Sequence, residues 1–178
     1  VEEVMLGNDG IMETLKTGTT IIDHTTTSAE LAKRMNDLVI NKGCNFIDAP
    51  ISGGQAGAES GKLSVMAGGD KEAFYAIEKT LDAYSKFTKY MGPSGSGQLT
   101  KMVNQICIGG LVQALAEGVN FSEKAGLNTS DVMEVITKGA AQSWQMENRW
   151  QTMLKDEYNH GFAVDWMRKD LDIVSAEA

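Results

Sequence analysis

Apolar positions fall into two regimes along the chain. Up to residue 91, short β-branched or aromatic runs alternate with stretches of helical period. Residues 18–23, Gly-Thr-Thr-Ile-Ile-Asp, place a β-branched run behind a glycine and predict a buried strand. Residues 45–49, 63–67 and 87–91 predict three more. Helices are expected over 29–42, behind the N-cap candidates Thr25, Thr26, Thr27 and Ser28, and over 71–84. Residues 1–6 resemble the end of a helix, and Gly7-Asn8-Asp9-Gly10 makes a turn before a short helix to Lys16. Strands alternating with helices predict parallel βαβ units and an α/β domain.

After Ser94 the pattern is helical throughout. Leu99, Val103, Ile106, Gly110, Val112, Leu115 and Val119 recur largely at steps of three and four, so one face is built for burial. Ile108, Leu111 and Ala116 widen that stripe until the helix is apolar on most sides, as a central helix would be. Further helices are expected over 129–138, 142–153 and from 164 onward. The predicted architecture is the C-terminal part of a Rossmann-type parallel sheet domain, residues 1–93, followed by an all-α domain built on the long central helix, residues 94–178. A Rossmann domain should open with a strand and a glycine-rich turn, which these residues lack, and the chain stops in mid-helix; both ends read as cut.

Composition narrows the partners. The 178 residues carry a formal charge of −8. That balance disfavours nucleic acid and anionic membrane, both of which select basic patches. No apolar run reaches the roughly 18 residues of a membrane span, and no signal peptide is recognisable. Cys44 and Cys107 lie far apart in apolar settings and read as reduced thiols of a cytoplasmic protein. His24 and His160 have no Cys or His nearby, so no metal site is expected. Trp144, Trp150 and Trp166 read as core or interface anchors, and the ten methionines as core filler.

Three stretches carry candidate chemistry. The first is Gly92-Pro93-Ser94-Gly95-Ser96-Gly97, leading to Lys101, Asn104 and Gln105 on one helix face. It is not a dinucleotide loop, because its glycine spacing is reversed from GxGxxG and Pro93 removes an amide donor. On its own, Lys101 reads as a solvated first-turn lysine. The whole string, however, resembles the catalytic signature of the β-hydroxyacid dehydrogenases, the family of 3-hydroxyisobutyrate dehydrogenase and tartronate semialdehyde reductase. The second stretch, Asp48-Ala49-Pro50-Ile51-Ser52-Gly53-Gly54, resembles that family's substrate loop; alone it reads as an ordinary turn. The third, Asp23-His24-Thr25-Thr26, resembles the family's Asp-x-Ser-Thr segment, with Thr25 standing where Ser is usual. Asp23 and Thr26 read equally well as a strand end and a helix cap. Late in the chain, Lys169-Asp170-Leu171 resembles the family's Lys-Asp-Leu, though a solvated helical lysine has the same appearance.

The resemblance implies an NAD(P)-dependent 3-hydroxyacid dehydrogenase that moves hydride reversibly between nicotinamide and a small 3-hydroxy acid or its semialdehyde. It makes Lys101 the general acid/base. An ammonium titrating ordinarily near about 10.4 suits reduction, and burial would lower it toward the base needed for oxidation. Ser52, Gly53 and Gly54 offer a hydroxyl and two unobstructed amides for a substrate carboxylate. Asn104 holds substrate or ammonium, with Gln105 as the alternative amide. Thr26 and Lys169 fall to the cofactor, NAD or NADP. The dinucleotide fingerprint is expected upstream of Val1. A homodimer or homotetramer is expected, since the long helix is too apolar to stand alone. Two rivals remain: an inert fragment kept for oligomerisation or binding, and a dehydrogenase of the 6-phosphogluconate type. The latter should show His-Asn after its lysine, where Asn104-Gln105 stands.

Overall fold

The computed structural model describes residues 1–159 and 161–178. His160, weighed above as a metal ligand, lies outside the described residues. Among the described residues the elements run α1 (Glu2–Leu6), α2 (Ile11–Thr14), β1 (Thr20–Asp23), α3 (Ala29–Ile40), β2 (Asn45–Asp48), β3 (Ile51–Ser52), α4 (Gly54–Glu59), β4 (Leu63–Gly69), α5 (Lys71–Asp82), β5 (Ser85–Gly92), α6 (Ser96–Lys124), α7 (Thr129–Ile136), α8 (Trp144–Leu154) and α9 (Val164–Glu177). The predicted strands and helices are all present, with ends shifted by a few residues. The chain divides into two compact units, residues 1–103 with 168–178, and residues 104–167.

In the first unit, β1 pairs with β2 and β4 with β5 in parallel, while β2 and β3 both run antiparallel to β4. The expected parallel pairing is present at β1–β2 and β4–β5, and the antiparallel pairs make the sheet mixed. The link from Ser52 to Leu63, carrying only the short α4, cannot make the crossover of a dozen or more residues that a parallel return needs, so the chain doubles back. The presumed turn around Ser52 is likewise a short strand running into a helix. β2 and β3 hold one continuous register along β4, Asp48 facing Gly68 and Ile51 facing Val65, interrupted at Ala49 and Pro50. Pro50 has no amide to give, but its carbonyl accepts from Met66 N–H at 3.0 Å, which keeps the line intact.

Side chains alternate across the pleat and build two cores. Ile47, Ala49, Val65 and Ala67 bury against Ala73, Phe74 and Leu81 of α5. Phe46 and Cys44 face the other way, onto Met5, Ala32, Met35 and Val39. Ser28 caps α3 by accepting from Leu31 N–H, and Asp70 caps α5 by accepting from Ala73 N–H. The second unit closes on Leu115, Val119, Met133 and Met146, with Trp150 and Met153 packed alongside. Trp150 is therefore a core anchor, whereas Trp144 and Trp166 are exposed. Arg149 stacks over Trp144 at 4.9 Å.

Helix α6 departs from two expectations. Leu115 and Val119 are buried, but Leu99, Val103 and Ile106 of the predicted buried stripe are exposed, as is Leu111. Leu99, Val103 and Ile106 lie about half a turn around the helix from Leu115 and Val119, so the run forms two faces instead of one stripe, and among the described residues nothing covers the first. By length and composition α6 also meets the criterion for a membrane span, which the run-length argument did not anticipate. Both cysteines are free, Cys44 buried and Cys107 exposed on α6, so the apolar setting assigned to Cys107 is not found.

What fixes the start of α6 is Asp48, the last residue of β2 and fully buried. Its Oδ1 accepts from Gly95 N–H at 2.8 Å and its Oδ2 from Gln98 N–H at 3.0 Å. Two amide donors that the helix cannot satisfy itself are thus taken up by one carboxylate, on the favourable end of the helix dipole. Burial pushes the Asp48 carboxyl up from its ordinary value, and the backbone amides oppose that shift. The approach leaves no room for a side chain at residue 97, where a Cβ would collide with the carbonyl oxygens of Asp48 and Met66. Gly95 takes φ +90°, a backbone conformation that disfavours any residue with a Cβ.

Asp48→Asn sets an NH2 group against one of these two donors, so unfolding in urea should show a loss of about 2 kcal/mol, the scale of one buried donor left unmet. A variant as stable as the wild type would show that the carboxylate does not hold the helix.

Candidate active site

The carboxyl ends of β1 and β2 and the first turns of α6 meet in the first unit, together with the last part of α9. Each site residue follows from one of these elements. Gln98, fully buried, lies one turn into α6. Its Oε1 accepts from Thr27 N–H at 3.0 Å and its Nε2 donates to the Thr25 carbonyl at 2.8 Å. The loop after β1 is thereby held on both sides of Thr26. Asp23 adds a local tie, its Oδ1 accepting from Thr25 N–H at 3.0 Å.

Lys101 stands on the next residues of α6 and is only 8% exposed. Its Nζ donates to the Ile51 carbonyl at 2.8 Å. That carbonyl immediately precedes Ser52, Gly53 and Gly54, so the structure brings Lys101 to the segment that the sequence reading paired with it. Gly54, at φ +61°, faces open space where a Cβ would stand, and Gly53 lies at φ +132°. The buried ammonium thus meets the backbone just ahead of two glycines, of which Gly54 has open space at its Cβ position and Gly53 is packed against Leu63.

Lys169 of α9 donates from Nζ to the Thr26 carbonyl at 2.8 Å, which joins the two residues predicted on the cofactor side. The same Nζ lies 2.9 Å from Asp170 Oδ1. Asp170 is buried, 3% exposed, between the charges of two lysines. Burial pulls the Lys101 ammonium below the ordinary lysine value; the Asp170 carboxylate opposes that and the Lys169 charge adds to it. Asn104 is not among the group so assembled. It opens the second unit, three residues beyond Lys101 on α6, and its Nδ2 donates to Gln105 Oε1 at 2.7 Å.

Sequence reasoning missed four members of this neighbourhood. Asp48 and His24 stood inside the quoted motifs without a role, Gln98 lay between Gly97 and Lys101, and Asp170 followed the chosen lysine. A buried amide or carboxylate beside a glycine string was the available signal for Gln98 and Asp48. Among the described residues, no group of three or more His, Cys, Asp or Glu could hold a metal ion.

With this geometry in view, two family models account for nearly the whole chain. Residues 1–92 match the NAD binding domain of 6-phosphogluconate dehydrogenase, and residues 95–178 match the NAD-binding region of NADP-dependent 3-hydroxyisobutyrate dehydrogenase. The chain belongs to the β-hydroxyacid dehydrogenase family. Among its relatives, an uncharacterised oxidoreductase of Shewanella frigidimarina is 53% identical over all 178 residues, which cover 61% of that protein. The 2-hydroxy-3-oxopropionate reductase of Escherichia coli K12 is 34% identical, again over the full chain and 61% of its own length. The crystal structure of 3-hydroxyisobutyrate dehydrogenase from Salmonella typhimurium superposes with a TM-score of 0.89 at 30% identity, covering 99% of this chain and 62% of that one. The chain thus spans about three fifths of the length of the relatives it matches.

NAD or NADP is the cofactor of this family. The residues described above are compatible with such a group. Thr26 lies just beyond the carboxyl end of β1, where open α/β sheets take their ligands, and Lys169 of α9 bonds to its carbonyl.

Asp170→Asn removes the one charge that raises Lys101 and leaves the two influences that lower it. The Lys101 titration, followed by 13C-detected NMR of its side chain, should move to still lower pH. An unchanged or upward midpoint would show that Asp170 does not govern it.

Proposed function

We propose that the protein is an NAD(P)-dependent 3-hydroxyacid dehydrogenase, reducing a small semialdehyde carboxylate and oxidising the matching 3-hydroxy acid. The observation that carries the reading is the Lys101 ammonium, buried and bonded to the carbonyl that precedes Ser52-Gly53-Gly54. A bound nicotinamide supplies or accepts the hydride. In the reductive direction Lys101 stabilises the oxygen that gains charge and gives it a proton; in the oxidative direction the neutral amine takes the hydroxyl proton. A depressed pKa serves the second task without abolishing the first. Ser52 Oγ and the amides of Gly53 and Gly54 hold the substrate carboxylate, and Asn104 supports the reacting oxygen by its amide. Thr26 and Lys169 hold the cofactor.

In this reading residues 1–93 are the cofactor-side domain and residues 94–178 the helical domain for substrate and association. A second copy of the chain covers the exposed Leu99, Val103, Ile106 and Leu111 of α6, giving a homodimer or homotetramer. The protein works in the cytoplasm on small carboxylates, with neither nucleic acid nor membrane as partner, in keeping with its charge of −8.

Oxidation of NADH and NADPH by the full gene product, followed by absorbance across a panel of small semialdehydes, tests the reading. Turnover should appear with one nucleotide preferred, and Lys101→Ala should lower it by about 10² to 10⁴-fold, the range of a lost general acid. The pH dependence has a defined sign. Reduction needs charged Lys101 and should fall as pH rises through its lowered midpoint, while oxidation should rise through the same window. A folded oligomer without turnover would instead favour a binding or assembly role.

A further inference from the structure

The densest polar geometry outside the lysine pair surrounds His24, half-buried just beyond β1. Both ring nitrogens are engaged. Nδ1 lies 2.6 Å from the Ala49 carbonyl oxygen and Nε2 lies 2.8 Å from the Tyr84 hydroxyl. The ring also meets Tyr84 edge-on, at 5.5 Å between centroids and 86° between planes. A carbonyl oxygen has no proton to offer, so Nδ1 must be the protonated nitrogen. In the neutral ring Nε2 then accepts the Tyr84 O–H. Tyr84 lies in the turn immediately before β5, and burial raises its hydroxyl above the ordinary tyrosine value.

The position of this bond matters. The β1–β2 ladder ends at Asp23 and Asp48, and Ala49 N–H still donates to the Asp23 carbonyl at 2.8 Å. The His24 ring then gives a proton back to the carbonyl of that same Ala49, so a side chain extends the pairing one step past the last strand residue. Beyond this step the two chains separate. One continues into Thr25 and Thr26, the other through Pro50 to Ile51, whose carbonyl receives Lys101, and Ser52. Pro50 has no amide with which to make a further backbone tie.

We propose that His24 is a positioning residue, which by donating its Nδ1–H to Ala49 holds residues 24–28 in register with residues 50–54, so that Thr26 and Ser52 keep fixed places about the two lysines. The inference rests on the roles given above to Thr26 and Ser52. It does not make His24 a proton donor in the reaction.

Two amide substitutions separate the nitrogens. His24→Asn sets its donor where Nδ1 stands and keeps the Ala49 bond. His24→Gln sets its amide where Nε2 stands and keeps only the Tyr84 partner. In the full gene product, His24→Asn should hold kcat/KM within about threefold of wild type. His24→Gln should lose about tenfold, chiefly through higher KM values, at an equal thermal midpoint. A role in packing alone would move both variants together, and equal kinetics at equal stability overturn the proposal. A long-range 1H–15N spectrum of the labelled imidazoles, assigned by the signals absent from the variants, should show His24 protonated at Nδ1; protonation at Nε2 overturns it outright. If no semialdehyde is turned over by any form, the dehydrogenase reading falls. Amide exchange at residues 25–27 then decides the tether by itself: faster exchange in His24→Gln than in His24→Asn supports it, and equal exchange refutes it.

Discussion

A carboxylate buried at the end of a central strand and a helix that begins directly above it are mutually dependent. Asp48 in this position would be an unpaired charge without the amides of Gly95 and Gln98, and those amides would be orphans without Asp48. Because a carboxylate at the strand end bonds directly to backbone amides at the helix start, it fixes where α6 begins. Gln98 and Lys101 are then delivered by helical geometry alone, one turn apart, to the loop after β1 and to the carbonyl before Ser52. The glycines at 95 and 97 are the steric condition for this arrangement.

Charge in the site is balanced with few groups. Two lysines and one buried carboxylate shape the charge of the site: Lys169 pairs with Asp170 and donates to the Thr26 carbonyl, while Lys101 donates to the Ile51 carbonyl and feels the Asp170 charge. Carbonyl oxygens accept a proton-bearing nitrogen without themselves titrating, so they orient the ammonium without locking its protonation state as strongly as a second carboxylate would. A lysine held in this manner is suited to exchanging a proton in both directions. That is the requirement of a reversible alcohol–aldehyde conversion.

The apolar face of α6 serves a different purpose. Toward its C-terminal end, Leu115 and Val119 join Met133 and Met146 in a small core. Elsewhere Leu99, Val103, Ile106 and Leu111 stay uncovered in one chain. Large side chains at helical spacing on a face this long carry a free-energy penalty in water, which a second copy would relieve.

Much of this was legible in the linear order of residues. The β-branched runs and the helical stretches specify their elements by local periodicity, and the string from Gly92 to Asn104 together with the Asp48 to Gly54 segment pointed to Lys101 and Ser52. Those signals are local, so a one-dimensional reading captures them. What only the tertiary structure decided are matters of long-range pairing. The reversal of β4 against β2 and β3 depends on the length of a connection and on a shared register. The burial of Asp48 depends on amides 47 and 50 residues later. The partnership of His24 with Tyr84 spans 60 residues. Leu99, Val103 and Ile106 repeat at the same spacing as Leu115 and Val119 but lie about half a turn around α6 from them, and what packs beside each face decides its burial. Hydrophobic pattern determines which face must find a partner; only packing in space determines which partner it finds.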